Sequence, residues 1–188
     1  MKKLLIVAAF VLSASFVQAA SVLWKGYGVS TSEGVATDTT AWKVTLMDSS
    51  KISVEALTEA FASSDYETIA AKIAAGNVGT ASITTFGTSK SFTAETTLIT
   101  DTTHSFYVLF TDTTLADNST GHYVVTEAKA VSATELGSGD LSFGDLSTQT
   151  ASWTVYQTGT AAIPEPTSAM LLMLGMAGLA LRRRARKA

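Results

Sequence analysis

The sequence contains no cysteine among its 188 residues. This absence excludes a disulfide framework, an iron–sulfur cluster ligated by cysteine and any zinc site built from cysteine thiolates. An exported domain could have used disulfides for stability, so burial of an apolar core must stabilise this fold instead. A chain of this length buries enough surface for that to be feasible.

Proline and arginine are also missing from most of the chain. The only prolines are Pro164 and Pro166, and all four arginines lie beyond residue 181. Residues 20–163 contain six lysines and 15 acidic residues, which gives this segment a formal net charge of −9. Because phosphate recognition needs clustered basic side chains, we expect no nucleic-acid partner. An acidic domain kept dispersed by its own charge is expected instead.

Histidine is nearly absent, and the usual signatures of catalytic and metal sites are missing. His104 and His122 flank the two central predicted strands, where either could meet Asp101 or Asp112 and ligate a metal or act as a base. However, the sequence has no HExxH motif and no Gly-x-Ser-x-Gly elbow. We therefore expect both histidines to be solvent-facing at strand ends, and we expect no catalytic residue, metal or cofactor.

Two acidic stretches offer oxygen atoms of the kind that calcium prefers. Residues 139–142 (Gly-Asp-Leu-Ser) recur as residues 144–147, and residues 112–118 hold two aspartates and an asparagine. Neither stretch has the spacing of an EF-hand or the glycine period of a calcium β-roll. The sequence therefore predicts solvated loops at these positions.

Threonine, serine and short apolar runs dominate residues 20–163, and this composition favours strands. The predicted strands are Val22–Ser30, Ala41–Met47, Ala81–Phe86, Phe92–Leu98, Ser105–Thr111, His122–Val131 and Ala151–Gln157. The fold class is therefore mainly β. We expect an antiparallel β-sandwich or a barrel-like sheet with a small helical insertion at about residues 54–75.

Two predicted strands differ in how they should be covered. Trp42, Val44 and Leu46 alternate with polar residues, which predicts a strand with one dry and one wet face. The unbroken apolar run 106–110 predicts instead a central strand covered on both sides. The turn-forming residues 117–121 link that strand to the next one, so we expect the two to pair antiparallel.

Capping signals define the helical insertion. Ser53 precedes an apolar pattern typical of a short helix, and Ser64 with Glu67 matches a capping box that opens a second helix. Gly76 suits a left-handed stop at the end of this second helix. We expect both helices to lay an apolar face on the sheet.

The first 19 residues are typical of a secretory signal peptide. Met1-Lys2-Lys3 is a basic start, residues 4–12 are apolar, and small residues precede the expected cleavage between Ala19 and Ala20 by signal peptidase. The predicted domains are therefore a signal peptide at 1–19, a β-rich extracellular body at 20–163 and a C-terminal segment at 164–188.

The C-terminal segment has three consecutive parts. Pro164-Glu165-Pro166 comes first, followed by an apolar run at residues 169–181 and a basic tail. The basic residues are Arg182, Arg183, Arg184, Arg186 and Lys187. A 13-residue helix rises only about 20 Å, which is short for a hydrocarbon core of about 30 Å. The cations are expected to stay in the cytoplasm, which places residues 20–163 across the membrane.

Residues 163–187 resemble the PEP-CTERM sorting signal of Gram-negative bacterial surface proteins, and the small β-rich body is similar to those of other short proteins of this kind. The resemblance implies a short transmembrane helix that holds the protein in the inner membrane transiently. It further implies processing by an exosortase and release to the cell surface or extracellular matrix. An ordinary single-span anchor that is never removed is the alternative interpretation of the same segment.

Three functions for residues 20–163 remain open. The first is a non-catalytic surface or matrix protein associated with exopolysaccharide. The second is a carbohydrate-binding β-sandwich module, in which Trp24, Trp42 and Trp153 stack on sugars. The third is an extracellular hydrolase, which needs a nucleophile, a base and an orienting acid in contact. Core packing is the alternative role for the three tryptophans, because Trp42 shares its strand face with apolar residues.

Overall fold

The computed structural model describes residues 19–99, 104–131 and 140–159. Within these ranges the chain forms ten strands, two α-helices and a 3-10 helix at Thr39–Ala41. The strands are β1 (Ala19–Tyr27), β2 (Lys43–Asp48), β3 (Asn77–Ala81), β4 (Ile83–Phe86), β5 (Ser89–Ile99), β6 (His104–Thr111), β7 (Thr120–Val125), β8 (Lys129–Val131), β9 (Asp140–Asp145) and β10 (Thr154–Gln157). The helices are α1 (Val54–Ala62) and α2 (Tyr66–Gly76). The mainly β fold class with a small helical insertion is confirmed.

The strands form two sheets, and neither closes on itself among the described residues. Sheet A has the order β4-β5-β1-β9, and sheet B has the order β10-β7-β6-β2-β3, with β8 pairing on β6. A sandwich-like arrangement is therefore observed in place of a barrel. All the pairs between described strands are antiparallel except β1 with β9, which is parallel.

A first apolar core lies between the two sheets. Sheet A contributes Val22, Trp24 and Phe92, and sheet B contributes residues such as Val108 and Phe110. Phe92 packs edge-on against Phe110 across the interface, with ring centroids 5.6 Å apart. Burial of these large side chains on both inner faces holds the sheets together.

A second core covers the other face of sheet B with the two helices. It contains Leu57, Phe61 and Ile69 from the helices, and Tyr107 and Leu109 from β6. Residues 106–110 are all buried and alternate between the two cores, which confirms that this strand is covered on both sides. The predicted pairing of β6 with β7 is also confirmed.

The helical layer corrects part of the prediction of a wet face on β2, since Lys43 is exposed as predicted but the rest of that face is covered. Thr45 is buried, and Met47 belongs to the second core beside the helices. The alternating pattern of Trp42, Val44 and Leu46 identified the inner face correctly. It could not show that helices encoded 10 to 30 residues later cover the outer one.

The helix boundaries confirm one capping prediction and correct two others. Ser53 caps α1 by accepting a hydrogen bond from the Ala56 N–H at 3.2 Å. The cap of α2 is Asp65, because Ser64 has φ 59° and lies outside the extended region that caps occupy. Gly76 is the last residue of α2 and has no left-handed conformation. A Cβ there would lie 2.6 Å from Met47 Cε, so Gly76 permits close approach to β2.

Residues 140–145, predicted as a solvated loop, form strand β9. This strand pairs parallel with β1, and a β-bulge lies between Lys25 and Gly26. Lys25 Nζ lies 2.9 Å from Asp140 Oδ2 across the pair. Leu141 is buried in the first core, so β9 contributes to the sandwich.

Within the described ranges, no helix is both long enough and apolar enough to cross a membrane. The predicted signal peptide up to residue 18 and the predicted C-terminal helix lie outside the described residues. Apart from Gly159, the described residues belong to one compact unit that ends at Thr158.

Candidate functional site

The predicted sorting residues lie outside the part of the chain that the structure describes. This holds for Pro164, Glu165 and Pro166 and for the basic tail at 182–187. Of the predicted cleavage site, Ala19 and Ala20 are the first two residues of β1, where they pair with Ile99 and Leu98. Cleavage there would leave the rest of β1 in sheet A.

The tryptophans are used for packing. The side chains of Trp24 and Trp42 are 0% and 1% exposed, so neither can present a ring face to a sugar. Trp153 is partly buried and meets Trp42 edge-on, with ring centroids 4.7 Å apart. Sugar stacking by Trp24 and Trp42 is therefore wrong, because their rings fill the space between the sheets. Among the described buried side chains, only the Trp24 Nε1 atom lacks a hydrogen-bond partner.

The two histidines are partly buried, which corrects the expectation that they face solvent. His122 Nδ1 lies 2.8 Å from Asp112 Oδ2, so one of the histidine–aspartate contacts considered from the sequence is present. His104 Nδ1 lies 3.9 Å from Asp48 Oδ2, and Asp101 is outside the described residues. Within the described ranges, no three His, Asp or Glu side chains are grouped closely enough to hold a metal.

Asp112 holds the loop between β1 and β2, residues 28–42, against sheet B. Its carboxylate accepts hydrogen bonds from the main-chain N–H groups of His122 at 2.6 Å and Ala36 at 3.1 Å. The His122 ring lies close to the same loop at Gly34. A Cβ atom at this glycine would be only 3.2 Å from His122 Nε2. The pair therefore anchors a loop.

The same loop is fixed at Ser30 by three further hydrogen bonds. The Ser30 N–H donates to Thr150 Oγ1 at 2.8 Å, and the Ser30 hydroxyl donates to the main-chain oxygen of Ser147 at 3.2 Å. The Ser30 carbonyl accepts from Trp153 Nε1 at 3.0 Å. Every polar group of Ser30 thus has a defined partner, so the start of the loop is rigid.

This rigid segment forms one wall of an open groove with a volume of about 400 Å³. The other wall is the start of β5, after the β4–β5 turn. The two walls are tied together by the Val29 N–H, which donates to the Lys90 carbonyl at 3.2 Å. The lining residues are Gly28, Val29, Ser30, Thr31, Thr88, Ser89 and Lys90. The groove is therefore lined mainly by hydroxyl groups, with one lysine.

Two exposed aromatic rings flank this groove. Tyr27 is 54% exposed at the end of β1, and Phe86 is 89% exposed at the end of β4. Tyr27 pairs with Ser91, Ser91 pairs with Thr84, and Phe86 lies two residues beyond Thr84. Because directly paired residues, and residues two apart on a strand, share a sheet face, both rings project from the outer face of sheet A.

A weak signal for this groove was available in the sequence at Phe86 and Gly87. A glycine next to an aromatic residue can mark an exposed hairpin tip, and Gly87 adopts φ 61° in the turn. Apolar strand residues are usually buried, and Phe86 was placed within a predicted strand. The approach of residues 28–31 to residues 88–90 depends on the pairing of β1 with β5, which sequence spacing does not reveal.

Comparison with known families gives one match. Residues 162–184 match the family model of the PEP-CTERM protein-sorting motif. The resemblance inferred from Pro164-Glu165-Pro166, the apolar run and the basic tail is therefore confirmed. No curated protein and no solved structure matches this chain.

Proposed function

We infer from the PEP-CTERM protein-sorting motif at residues 162–184 that the protein is exported toward the cell surface and processed by an exosortase. From this premise we propose that it is a non-catalytic protein of the cell surface or extracellular matrix, associated with exopolysaccharide. The C-terminal segment acts as a transient membrane anchor that the exosortase removes. The motif match is the observation that carries this proposal.

The charge distribution supports the proposed route. Five of the 13 basic residues lie at 182–187, whereas residues 20–163 carry a formal net charge of −9 from six lysines and 15 acidic residues. A basic tail next to the apolar run is retained on the cytoplasmic side, whereas a domain as long as residues 20–163 can be translocated largely regardless of its charge. This orientation, with the tail inside and residues 20–163 outside, is the one expected for an intermediate anchored by its C-terminal segment.

A structural role for the His122–Asp112 pair supports a non-catalytic body. Asp112 is 2% exposed, and its two oxygens face the main-chain donors of His122 and Ala36 as well as the His122 ring. A general base must reach a proton on a bound substrate. The bonds of Asp112 instead join the 28–42 loop to the ends of β6 and β7, which accounts for the pair without a reaction.

The proposed sorting can be tested by removing residues 164–188 from the full chain. We expect the truncated protein to be exported but to lose processing by the exosortase and attachment at the surface. Glu165→Ala should impair processing in the intact chain, while Thr167→Ala serves as a neighbouring control. Cell fractionation and immunoblotting measure the outcome. Unchanged processing and location of the truncated protein and the Glu165 variant would contradict the proposal.

A further inference from the structure

We propose that the groove between residues 28–31 and 88–90 binds a neutral polysaccharide strand, with Tyr27 and Phe86 as the two stacking side chains. The inference rests on the proposed function, since it names the site through which the surface protein would contact exopolysaccharide. It replaces the tryptophan-based site, in which the rings of Trp24 and Trp42 are buried.

The aromatic side chains supply the apolar contacts that sugar recognition needs. Tyr27, Phe86 and Val155 are the exposed large hydrophobic side chains among the described residues. Tyr27 directly precedes the lining residue Gly28, and Phe86 pairs with the lining residue Ser89. Tyr27 and Phe86 are separated by two strand spacings across the sheet and by two residues along it. These two separations place their Cα atoms roughly 12 Å apart. This distance exceeds the width of one sugar ring, so the two aromatic rings would contact different sugars of one strand.

The groove supplies polar contacts next to these two residues. Thr31, Thr88 and Ser89 each carry a hydroxyl that can donate and accept, and Lys90 adds an amine. The Ser30 hydroxyl donates to the Ser147 main-chain oxygen and can still accept. A carbohydrate presents apolar ring faces and a rim of hydroxyls, which matches exposed aromatic rings with polar groups between them. A purely apolar ligand would leave these polar groups desolvated without partners.

The local charge favours a neutral strand. Lys90 lines the groove, but the Asp145 carboxylate lies directly against Gly28, another lining residue. Lys25, which shares a sheet face with Tyr27, is paired with Asp140 at 2.9 Å. The groove therefore has no cluster of cations to attract a polyanion, and the net acidic body repels one.

The hydrogen bonds of Ser30 make the groove preformed. Thr150, Trp153 and Ser147 hold its N–H, carbonyl and hydroxyl, and the Val29–Lys90 hydrogen bond fixes the distance between the walls. A rigid site loses less conformational freedom on binding, which increases affinity for a given set of contacts.

The test uses the protein as recovered from the surface of producing cells. The probes are dextran and the neutral and acidic fractions of the polysaccharide extracted from the same cells, with affinity electrophoresis as the measurement. Tyr27→Ala and Phe86→Ala should each weaken binding of the neutral fraction about tenfold. Tyr27→Phe should retain binding because it keeps the ring. Val155→Ala, at an exposed position in sheet B, is the matched control and should bind normally.

The outcomes separate this inference from the proposed sorting. Surface location of the same variants is measured in parallel, and it should be unchanged because the substitutions lie far from residues 162–184 in the chain. A normally sorted wild-type protein that binds neither dextran nor the neutral fraction would overturn the inference and leave the sorting proposal intact. Binding that survives the combined substitution of Tyr27→Ala and Phe86→Ala, or binding of the acidic fraction alone, would also overturn it. Thermal unfolding confirms that each variant is folded.

Discussion

Trp153 donates its indole N–H to the main-chain oxygen of Ser30 at 3.0 Å, although 123 residues separate the two in the sequence. This hydrogen bond joins the segment before β10 to the loop after β1. The Trp153 ring also meets Trp42 edge-on. One side chain therefore fixes a groove wall and extends the core between the sheets.

We expect Trp153→Phe to lower the free energy of unfolding by about 1–3 kcal/mol. Phenylalanine keeps an aromatic ring near Trp42 but leaves the Ser30 carbonyl without its donor. Urea unfolding followed by circular dichroism measures the change. Tyr27→Phe, which alters an exposed hydroxyl, serves as the control. Equal stability of the two variants would show that the Trp153–Ser30 bond contributes nothing to the fold.

Asp112→Asn tests the anchor of the 28–42 loop. The substitution keeps the size of the side chain but replaces one carboxylate oxygen, an acceptor, by an amide NH2 group, a donor. The oxygen that is lost accepts from Ala36 or from His122 in the native protein. We expect a destabilisation of about 1–3 kcal/mol, because an unpaired buried donor remains. Asp117→Asn is the control, since the exposed Asp117 carboxylate bonds only the adjacent Asn118. A loss no larger than that of the control would rule out the anchoring role.

Burial raises the pKa of Tyr107 to about 12, with smaller contributions from the charges of Glu55 and Asp48. The unfolded chain, with an ordinary tyrosine pKa near 10, loses this proton before the folded chain does. The contribution of Tyr107 protonation to the free energy of unfolding is therefore complete below about pH 10. It is lost as the pH rises from about 10 to about 12.

Stability should fall over this alkaline range by up to about 1.4 kcal/mol per pH unit for a single tyrosine. Tyr107→Phe removes the titrating group, so its stability should depend less steeply on pH, although it loses the hydrogen bond to the Ile52 oxygen. Urea titrations at several pH values measure both slopes. Identical slopes for the wild type and the variant would contradict the assignment. Burial also raises the pKa values of Tyr123 and Tyr156, so some dependence should remain.

Local patterns in the sequence predicted the features that depend on neighbouring residues. The apolar run 106–110 indicated a strand covered on both sides, and residues 117–121 indicated the connection to β7; the structure confirms both. Ser53 was recognised as a helix cap for the same reason, since its bonding partner is three residues away.

The features that were missed depend on contacts between distant residues. Strand β9 is short and flanked by glycine and acidic residues, and its pairing with β1 brings together Lys25 and Asp140 across 115 positions. The groove has the same origin, because the β1–β5 register sets its walls. The sorting motif, by contrast, is contiguous, so Pro164-Glu165-Pro166 and its flanking segments were sufficient to identify it.

The central claim is that the C-terminal segment directs the protein to the surface and is then removed. Intact-mass spectrometry of the protein recovered from the cell surface tests it most directly. We expect a polypeptide that begins at Ala20 and lacks the basic tail, Arg182 to Ala188. A surface protein whose mass still includes those seven residues would contradict the account.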